Sequence, residues 1–176
     1  MKLFIAINFT NELKDEIYDT MVELKKNVVK GNFVHRENLH LTLVFIGETE
    51  NVQSVMQAMK EVNGKPFELF MGGLGKFKRR GGDIYWIGVE KNEEMSRIYN
   101  QLSTALRGIG FHIDNREFTP HLTLGRDVVL DKKFNESKFS ETNSKPHMKV
   151  EKVSLMKSER IEGKVIYTEI YSKDLK

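Results

Sequence analysis

A short phrase occurs twice in this chain, once in each half. The first copy is Leu39-His40-Leu41-Thr42-Leu43 and the second is Pro120-His121-Leu122-Thr123-Leu124, so the two histidines are 81 residues apart. Apolar residues at every second position are typical of a strand with one buried face. In each copy the histidine and the threonine therefore share the opposite face, where they can meet a ligand.

The repeat extends beyond this phrase. The segments Leu3-Phe4-Ile5-Ala6-Ile7 and Tyr85-Trp86-Ile87-Gly88-Val89 each precede a helical pattern, and they are 82 residues apart. Each half is predicted to contain a strand, a helix, a connection and a His-x-Thr strand. We expect a single bilobal domain over residues 1–176, with intertwined halves 1–82 and 83–176 related by an approximate two-fold. The two histidine strands would then line a groove between the lobes.

The remaining pattern predicts an α+β fold with mainly antiparallel sheets and flanking helices. Helices are predicted over residues 11–28, with Thr10 as the N-cap, and over 52–62 and 92–107. Strands are predicted over 67–74, 83–89, 149–156 and 164–171, the last two as a closing hairpin. Residues 127–146 are polar with few apolar anchors, which predicts a long irregular loop.

The composition suits a globular protein with its own core. Of 176 residues 39% are hydrophobic, and the formal net charge of +3 is compatible with a phosphate-bearing ligand. The absence of cysteine excludes disulfides and thiolate nucleophiles and favours a reducing compartment. Asn8 interrupts the apolar start too early for a signal peptide, and no stretch approaches the ~20 apolar residues of a membrane helix. We expect a cytoplasmic monomer with no membrane contact and no obligate protein partner.

A cluster of cations precedes Gly81-Gly82, between two predicted strands. It consists of Lys76, Phe77, Lys78, Arg79 and Arg80. The position predicts a hairpin loop, whose cations can hold a nucleic-acid backbone while the ring stacks on a base. A solvated loop kept polar for solubility accounts for the same residues equally well. The loop is therefore a candidate RNA contact.

Two histidines and two threonines on facing strands suit a phosphoryl group. An imidazole with a pKa of about 6.5 serves as base or acid at neutral pH, and two can divide these roles in one in-line displacement. Threonine hydroxyls can donate to non-bridging phosphate oxygens. Phosphodiester hydrolysis would use His40, His121, Thr42 and Thr123 without a metal or any other cofactor.

A structural role and a metal site are the two alternatives to hydrolysis for these histidines. A single histidine in an apolar strand is more often structural than catalytic. Histidines also bind metals, but zinc sites need three or four His, Cys or carboxylate ligands, and His35, His112 and His147 share no pattern with the repeated pair. The duplication favours a joint function, because burying a polar pair twice without using it would cost free energy twice.

The two motifs resemble the paired signatures of the two-histidine phosphoesterase superfamily, and within it most closely the RNA 2',3'-cyclic phosphodiesterases, also called 2'-5' RNA ligases. The similarity covers nearly the whole chain and is carried by residues 3–7, 38–47, 72–77, 118–126 and 153–158. The resemblance implies metal-independent opening of a 2',3'-cyclic phosphate at an RNA end to leave a 2'-phosphate. Some members also join RNA ends through a 2'-5' linkage.

By position, the resemblance makes His40 and His121 the acid/base pair and Thr42 and Thr123 donors to the phosphate. The family orientation implies that His40 protonates the leaving 3' oxygen while His121 activates water. The near symmetry of the two motifs leaves the reverse assignment open.

The resemblance adds Arg126, after the second motif, as a further phosphate ligand. Strict alternation turns Arg126 away from the face of His121 and Thr123. It reaches the phosphate only if the strand ends or bulges at Gly125, which a glycine permits.

Two further functions stay open. One is a phosphodiesterase for small cyclic nucleotides or 2'-5' oligonucleotides. The basic loop favours RNA over these small substrates, but only weakly. The second is a protein that binds RNA ends without cleaving them. Binding alone would be better served by arginine or lysine, which stay charged at neutral pH.

Overall fold

The computed structural model describes residues 1–142 and 145–176 and confirms the α+β class. The strands in chain order are β1 Lys2–Asn8, β2 Val28–Phe33, β3 His40–Glu48, β4 Phe67–Phe77, β5 Asp83–Val89, β6 His121–Leu130, β7 His147–Val150, β8 Lys152–Ile161 and β9 Lys164–Asp174. The helices are α1 Asn11–Lys25, α2 Val52–Lys60, α3 Glu93–Gly108 and α4 Glu136–Thr142, and a short 3-10 helix spans Arg36–Asn38.

The strands form two antiparallel sheets. The first has the order β3-β1-β8-β9, and the second has the order β2-β6-β5-β4-β7. Three consecutive strands correspond between the two sheets, because β3-β1-β8 of the first sheet matches β6-β5-β4 of the second. Each histidine strand thus pairs with the strand that opens its own half of the repeat. This shared order agrees with the predicted bilobal architecture.

A continuous apolar core lies between the sheets and the helices. Helix α1 contributes Leu13, Ile17, Met21 and Leu24, whose spacing of three to four residues places them on one face. The helix begins as predicted, with the Thr10 hydroxyl accepting a hydrogen bond from the Leu13 amide at 3.2 Å. Helix α1 contacts β2 of the second sheet, and α3 contacts β3 of the first, so helices pack against strands of both sheets.

Several boundaries of helices and strands differ from the prediction, because residues that periodicity alone assigns elsewhere form pairs with a neighbouring strand. Helix α1 ends at Lys25, three residues early, since Val28 already pairs with Leu130 in β2. Strand β4 continues to Phe77, because its pairing with β5 extends that far. Strand β2 was not predicted, and the single strand predicted over 149–156 is divided between β7 and β8.

The predicted loop over residues 127–146 is wrong in part. Strand β6 runs on to Leu130, and α4 occupies Glu136–Thr142. Asn135 accepts a hydrogen bond from the Lys138 amide at 3.0 Å, as an N-cap does, and Phe134 and Phe139 pack against the core. Residues 143 and 144 of that prediction lie outside the described residues. In the described part of the chain, no helix combines the length and apolarity needed to cross a bilayer.

Candidate active site

The two copies of the repeated phrase meet in one groove. Strands β3 and β6 lie in contact, and beside them opens a groove of about 990 Å³. Its lining includes the five residues predicted for phosphate chemistry, namely His40, Thr42, His121, Thr123 and Arg126. Residues 81 positions apart along the chain are therefore brought together.

His40 is held through both of its ring nitrogens. Its Nδ1 lies 2.7 Å from the Asn38 carbonyl oxygen, and its Nε2 lies 3.0 Å from Thr42 Oγ1. Because a carbonyl only accepts, Nδ1 carries the proton in this arrangement, and Nε2 is left to accept from the threonine hydroxyl. The ring is packed against Phe4 and Tyr167, with centroids 4.9 and 5.0 Å away.

This packing changes the acidity of His40. Burial of the ring lowers the pKa of His40 below its ordinary value, because desolvation disfavours the charged imidazolium. The hydrogen bond to the Asn38 carbonyl acts in the opposite direction, and the nearby charge of Lys14 adds to the lowering. His40 is thus favoured in the neutral form, with an unprotonated Nε2.

His121 is positioned by the same arrangement. Its Nδ1 lies 3.2 Å from the carbonyl oxygen of Thr119, again the residue two positions earlier. The rings of Phe77 and Trp86 flank it, with centroids 5.2 and 5.7 Å away. The sequence prediction missed Phe4, Tyr167 and Trp86 as site residues, and it named Phe77 only as a candidate RNA contact. Their signal was present, because Phe4 and Trp86 occupy equivalent positions of the repeat, 82 residues apart.

Arg126 reaches the groove because β6 bulges. Tyr85 pairs with Gly125 while the next residue, Trp86, pairs with Thr123, so one extra residue is inserted in β6. Leu124 and Gly125 are consequently both buried, and Arg126 turns to the face of Thr123. The bulge on which this prediction depended is therefore present.

The structure divides the predicted basic loop. Phe77 and Arg79 line the groove, with the Arg79 guanidinium carbon 5.7 Å from the Phe77 centroid. Lys76 belongs to β4 and faces away, where its Nζ lies 2.9 Å from Glu136 Oε1 in an ion pair. Lys78 and Arg80 are exposed. Of the five residues, the structure brings Phe77 and Arg79 to the histidines.

The charge of the groove suits an anion. Arg79, Arg116 and Arg126 belong to its lining, along with two acidic residues, Asp114 and Glu117. Arg116 binds Asp114 with 2.6 Å between Nη2 and Oδ2, and this contact lowers the pKa of Asp114 to about 2. The Asp114 carboxylate therefore stays ionised and paired, so Arg79 and Arg126 are the cations that remain for a ligand.

Across residues 1–142 and 145–176, no three His, Cys, Asp or Glu side chains cluster as a metal ion would need. Both ring nitrogens of His40 also have partners within the protein.

Comparison with known proteins adds an independent line of evidence. The sequence model of the 2'-5' RNA ligase superfamily matches residues 13–162. The chain is similar to the RNA 2',3'-cyclic phosphodiesterase of Archaeoglobus fulgidus, with 33% identity over 129 residues and 72% of each chain covered. It is also similar to that of Thermotoga maritima, with 33% identity over 131 residues, covering 72% of this chain and 70% of the other. The crystal structure of E. coli LigT in its apo form has a similar fold, with a TM-score of 0.80 and 23% identity over 99% of this chain and 96% of LigT.

Proposed function

The chain belongs to the 2'-5' RNA ligase superfamily, and from this premise we propose that it hydrolyses the 2',3'-cyclic phosphate at an RNA end and leaves a 2'-phosphate. The observation that carries the proposal is the meeting of His40, Thr42, His121 and Thr123 in one groove. The names of the relatives from A. fulgidus and T. maritima support the choice of substrate.

The reaction requires one proton to be taken and another to be given. A water oxygen attacks the phosphorus in line with the bond to O3', the new P–O bond forms, and the P–O3' bond breaks. One imidazole accepts the proton of the attacking water, and the other donates a proton to the departing 3' oxygen. The product is a 2'-phosphomonoester with a free 3'-hydroxyl, and exchange with solvent resets both imidazoles.

We assign the acid to His40 and the base to His121, as the resemblance implies. In this assignment Nε2 of His40 has to take up a proton, against the lowering of its pKa, before it can donate to the leaving oxygen. A cyclic phosphate with sulfur in place of the bridging 3' oxygen separates the two roles, because a thiolate leaves without protonation. The acid variant should regain activity on this substrate, and the base variant should not. Rescue of His121→Ala instead of His40→Ala would exchange the assignment.

The threonines and Arg126 are proposed to bind the non-bridging oxygens. Thr42 Oγ1 lies 3.0 Å from His40 Nε2. The hydroxyl therefore has to give up its hydrogen bond to Nε2 before it can donate to a bound phosphate. Removing one such donor reduces kcat by roughly 10²–10³-fold in comparable sites. Thr42→Val and Thr123→Val keep the side-chain shape, and each is expected to fall in this range.

The same site is proposed to support joining of RNA ends. A 5'-hydroxyl of a second RNA replaces water as the nucleophile, the P–O3' bond again breaks, and a 2'-5' linkage results. The acid and the base keep their roles, because the nucleophile is again an O–H group that must lose its proton.

Metal independence follows from the proposed roles. The two imidazoles account for both proton transfers, and Thr42, Thr123 and Arg126 account for stabilising the charge on the phosphate oxygens. Turnover is expected to be unchanged, within about twofold, after exhaustive dialysis against EDTA. Loss of activity that a specific divalent ion restores would replace this mechanism by a metal-assisted one.

The main alternatives are a small-nucleotide phosphodiesterase and a non-catalytic protein that binds RNA ends. The groove continues into a second cavity of about 930 Å³, which favours a ligand longer than one nucleotide. The repeated histidines argue against simple binding, because arginine or lysine, which stay charged at neutral pH, would bind a phosphate better.

The deciding experiment incubates the protein with an RNA that ends in a 2',3'-cyclic phosphate and with small cyclic nucleotides. The position of the phosphate in each product is then identified by ³¹P NMR. We expect a 2'-phosphate on RNA, made faster than on the small nucleotides. His147→Ala is the matched control, because His147 is exposed and lies outside the groove lining. An intact cyclic end after prolonged incubation would contradict the proposal.

A further inference from the structure

The carbonyl groups that face the two catalytic imidazoles are held unequally. Asn38 and Thr119 are 81 positions apart, the same offset that relates the two histidines. Each presents its carbonyl oxygen to an Nδ1 atom, at 2.7 Å for Asn38 with His40 and at 3.2 Å for Thr119 with His121. The repeat therefore supplies the contact twice, but the hydrogen bond is shorter on the side of His40.

The side chain of Asn38 makes a hydrogen bond of its own. Its Nδ2 donates to the carbonyl oxygen of Val165 at 3.2 Å, in a part-buried contact. Val165 belongs to β9, and β3 and β9 are the two outer strands of the first sheet. The bond thus joins the entry of β3 to a strand with which β3 has no backbone pairing. Within residues 1–142 and 145–176, the side chain of Thr119 makes no corresponding bond.

The 3-10 helix that ends at Asn38 is held on its other side as well. Arg36 Nε binds Asp15 Oδ1 of α1 at 2.7 Å, and the Asn38 amide donates to the His35 carbonyl at 2.9 Å. The next residue, Leu39, is buried at 2% exposure. The peptide group that carries the Asn38 carbonyl lies between these anchors. It cannot rotate away from His40 without breaking one of them.

The Asn38 carbonyl opposes the influences that deprotonate His40. Burial and the charge of Lys14 on α1 lower the pKa of His40, and the hydrogen bond to the Asn38 carbonyl raises it. A fixed acceptor at Nδ1 also sets the tautomer and makes Nε2 a better base, as an acid that must carry its proton on Nε2 requires. The other titratable groups that line the groove with this ring are Tyr167 of β9, Arg79, Glu117, His121, Arg126 and the Asp114–Arg116 pair.

We propose that Asn38 is a positioning residue for His40. Its side-chain amide, bound to β9, fixes its own carbonyl against Nδ1, and this keeps the imidazole oriented to hold a proton on Nε2 and to donate it to the leaving oxygen. The inference rests on the proposed function, in which His40 is the acid. It adds a residue that acts through His40, and it gives a physical reason why the two symmetric motifs take different roles.

The kinetic test removes the amide and compares two leaving atoms. Asn38→Ala should lower kcat on a cyclic-phosphate RNA by about tenfold to 100-fold and change KM by less than about threefold, because a displaced acid affects the transition state more than substrate binding. With sulfur in place of the bridging 3' oxygen the loss should shrink below about threefold, since a thiolate leaves without protonation. Equal losses on both substrates would overturn the role, because neither a lost substrate contact nor a general defect of the fold depends on the leaving atom.

Three further variants sharpen this comparison. Asn38→Leu keeps the size of the side chain without the N–H donor and should match Asn38→Ala, whereas a wild-type kcat in Asn38→Leu would show that packing and not the bond to Val165 matters. In a His40→Ala background, Asn38→Ala should cause no further loss, and an additional loss would contradict action through His40. Asn100→Ala is the control, because Asn100 is exposed on α3 outside the groove lining, and it should leave kcat and KM unchanged.

An NMR titration of the imidazole nitrogens separates this inference from the proposed function, because it requires no turnover. The His40 signals are identified by their loss in His40→Ala. Asn38→Ala should lower the pKa of His40 by about 0.5–1 unit and raise the fraction of neutral rings that carry the proton on Nε2. If wild type does not cleave the RNA, the proposed hydrolysis fails while the titration still decides the role of Asn38. An unchanged pKa and tautomer of His40 in Asn38→Ala would refute it.

Discussion

Gly75→Ala should damage the site although the substitution adds a single methyl group. Gly75 pairs with Trp86 across β4 and β5, and the indole ring lies over the glycine. A Cβ at residue 75 would lie 2.2, 2.3 and 2.5 Å from three carbon atoms of that ring. Since ordinary contacts begin near 3.4 Å, the ring or the strand must shift by about 1 Å (3.4 minus 2.2).

The shift would pass to His121. Trp86 Nε1 is buried and has no hydrogen-bond partner among the described residues, so packing alone holds the ring in place. The ring packs against His121 and Phe77, with centroids 5.7 and 5.5 Å away. Overpacking of this kind costs about 1–3 kcal/mol of stability, and a catalytic group misplaced by about 1 Å loses roughly 10²-fold in rate.

The assay measures kcat and KM on a cyclic-phosphate RNA together with the thermal midpoint. We expect kcat of Gly75→Ala to fall about 100-fold with KM changed by less than about threefold, because the phosphate donors are untouched. The midpoint should fall by roughly 2–12 °C. Gly108→Ala is the matched control, because a Cβ there meets nothing within 4 Å.

A double variant tests the cause. Gly75→Ala combined with Trp86→Phe replaces the indole by a smaller ring, and it should recover much of the lost stability. If Gly75→Ala keeps the wild-type kcat while its midpoint falls, the indole does not position His121, and the reasoning fails.

The remaining predictions concern pH and the division of the basic segment. The pKa of His40 is lowered in the folded protein. Below the ordinary histidine pKa the unfolded chain therefore binds more protons than the folded protein, so acidification favours unfolding. The stability that neutral His40 contributes is complete above the ordinary pKa and is lost as the pH falls through the folded pKa. Urea midpoints should therefore drop less between pH 8 and pH 5 in His40→Asn than in wild type, and an equal drop in both would contradict the lowered pKa. Arg79→Ala should weaken RNA binding and flatten its salt dependence, whereas Lys76→Met should leave both unchanged, because Lys76 is paired with Glu136 on the opposite face. Equal effects of these two variants on RNA affinity would count against the placement of the segment.

The local pattern was sufficient to predict the two strands that carry the repeated motif. Alternation in β3 and β6 assigned the histidines and threonines to one face, and the 82-residue offset predicted that the two strands meet. These signals are strong because they are periodic and occur twice.

The features that were missed depend on partners far away in the chain. The existence of β2 is decided by its pairing with β6, and that of β7 by its pairing with β4. The bulge in β6 that turns Arg126 to the groove is likewise a matter of register between strands, which no single segment encodes. From the sequence alone, Arg126 could be assigned to the groove only on the condition that the strand ends or bulges at Gly125.

The same limit applies to α4. Its residues looked like a polar loop because two aromatic anchors, Phe134 and Phe139, were too few to reveal a periodic face. Glu136 also accepts hydrogen bonds from Tyr85 at 2.8 Å and from Lys76 at 2.9 Å, contacts that no local pattern reveals.

The central claim is that two imidazoles from the two halves of the repeat act as one catalytic unit. The most direct measurement is single-turnover hydrolysis of a cyclic-phosphate RNA, in EDTA, by His40→Ala, His121→Ala and the double variant. Groups that act together are non-additive, so each single variant should lose nearly as much rate as the double variant, while all three stay folded. Wild-type turnover in either single variant, or losses that multiply in the double variant, would contradict the account.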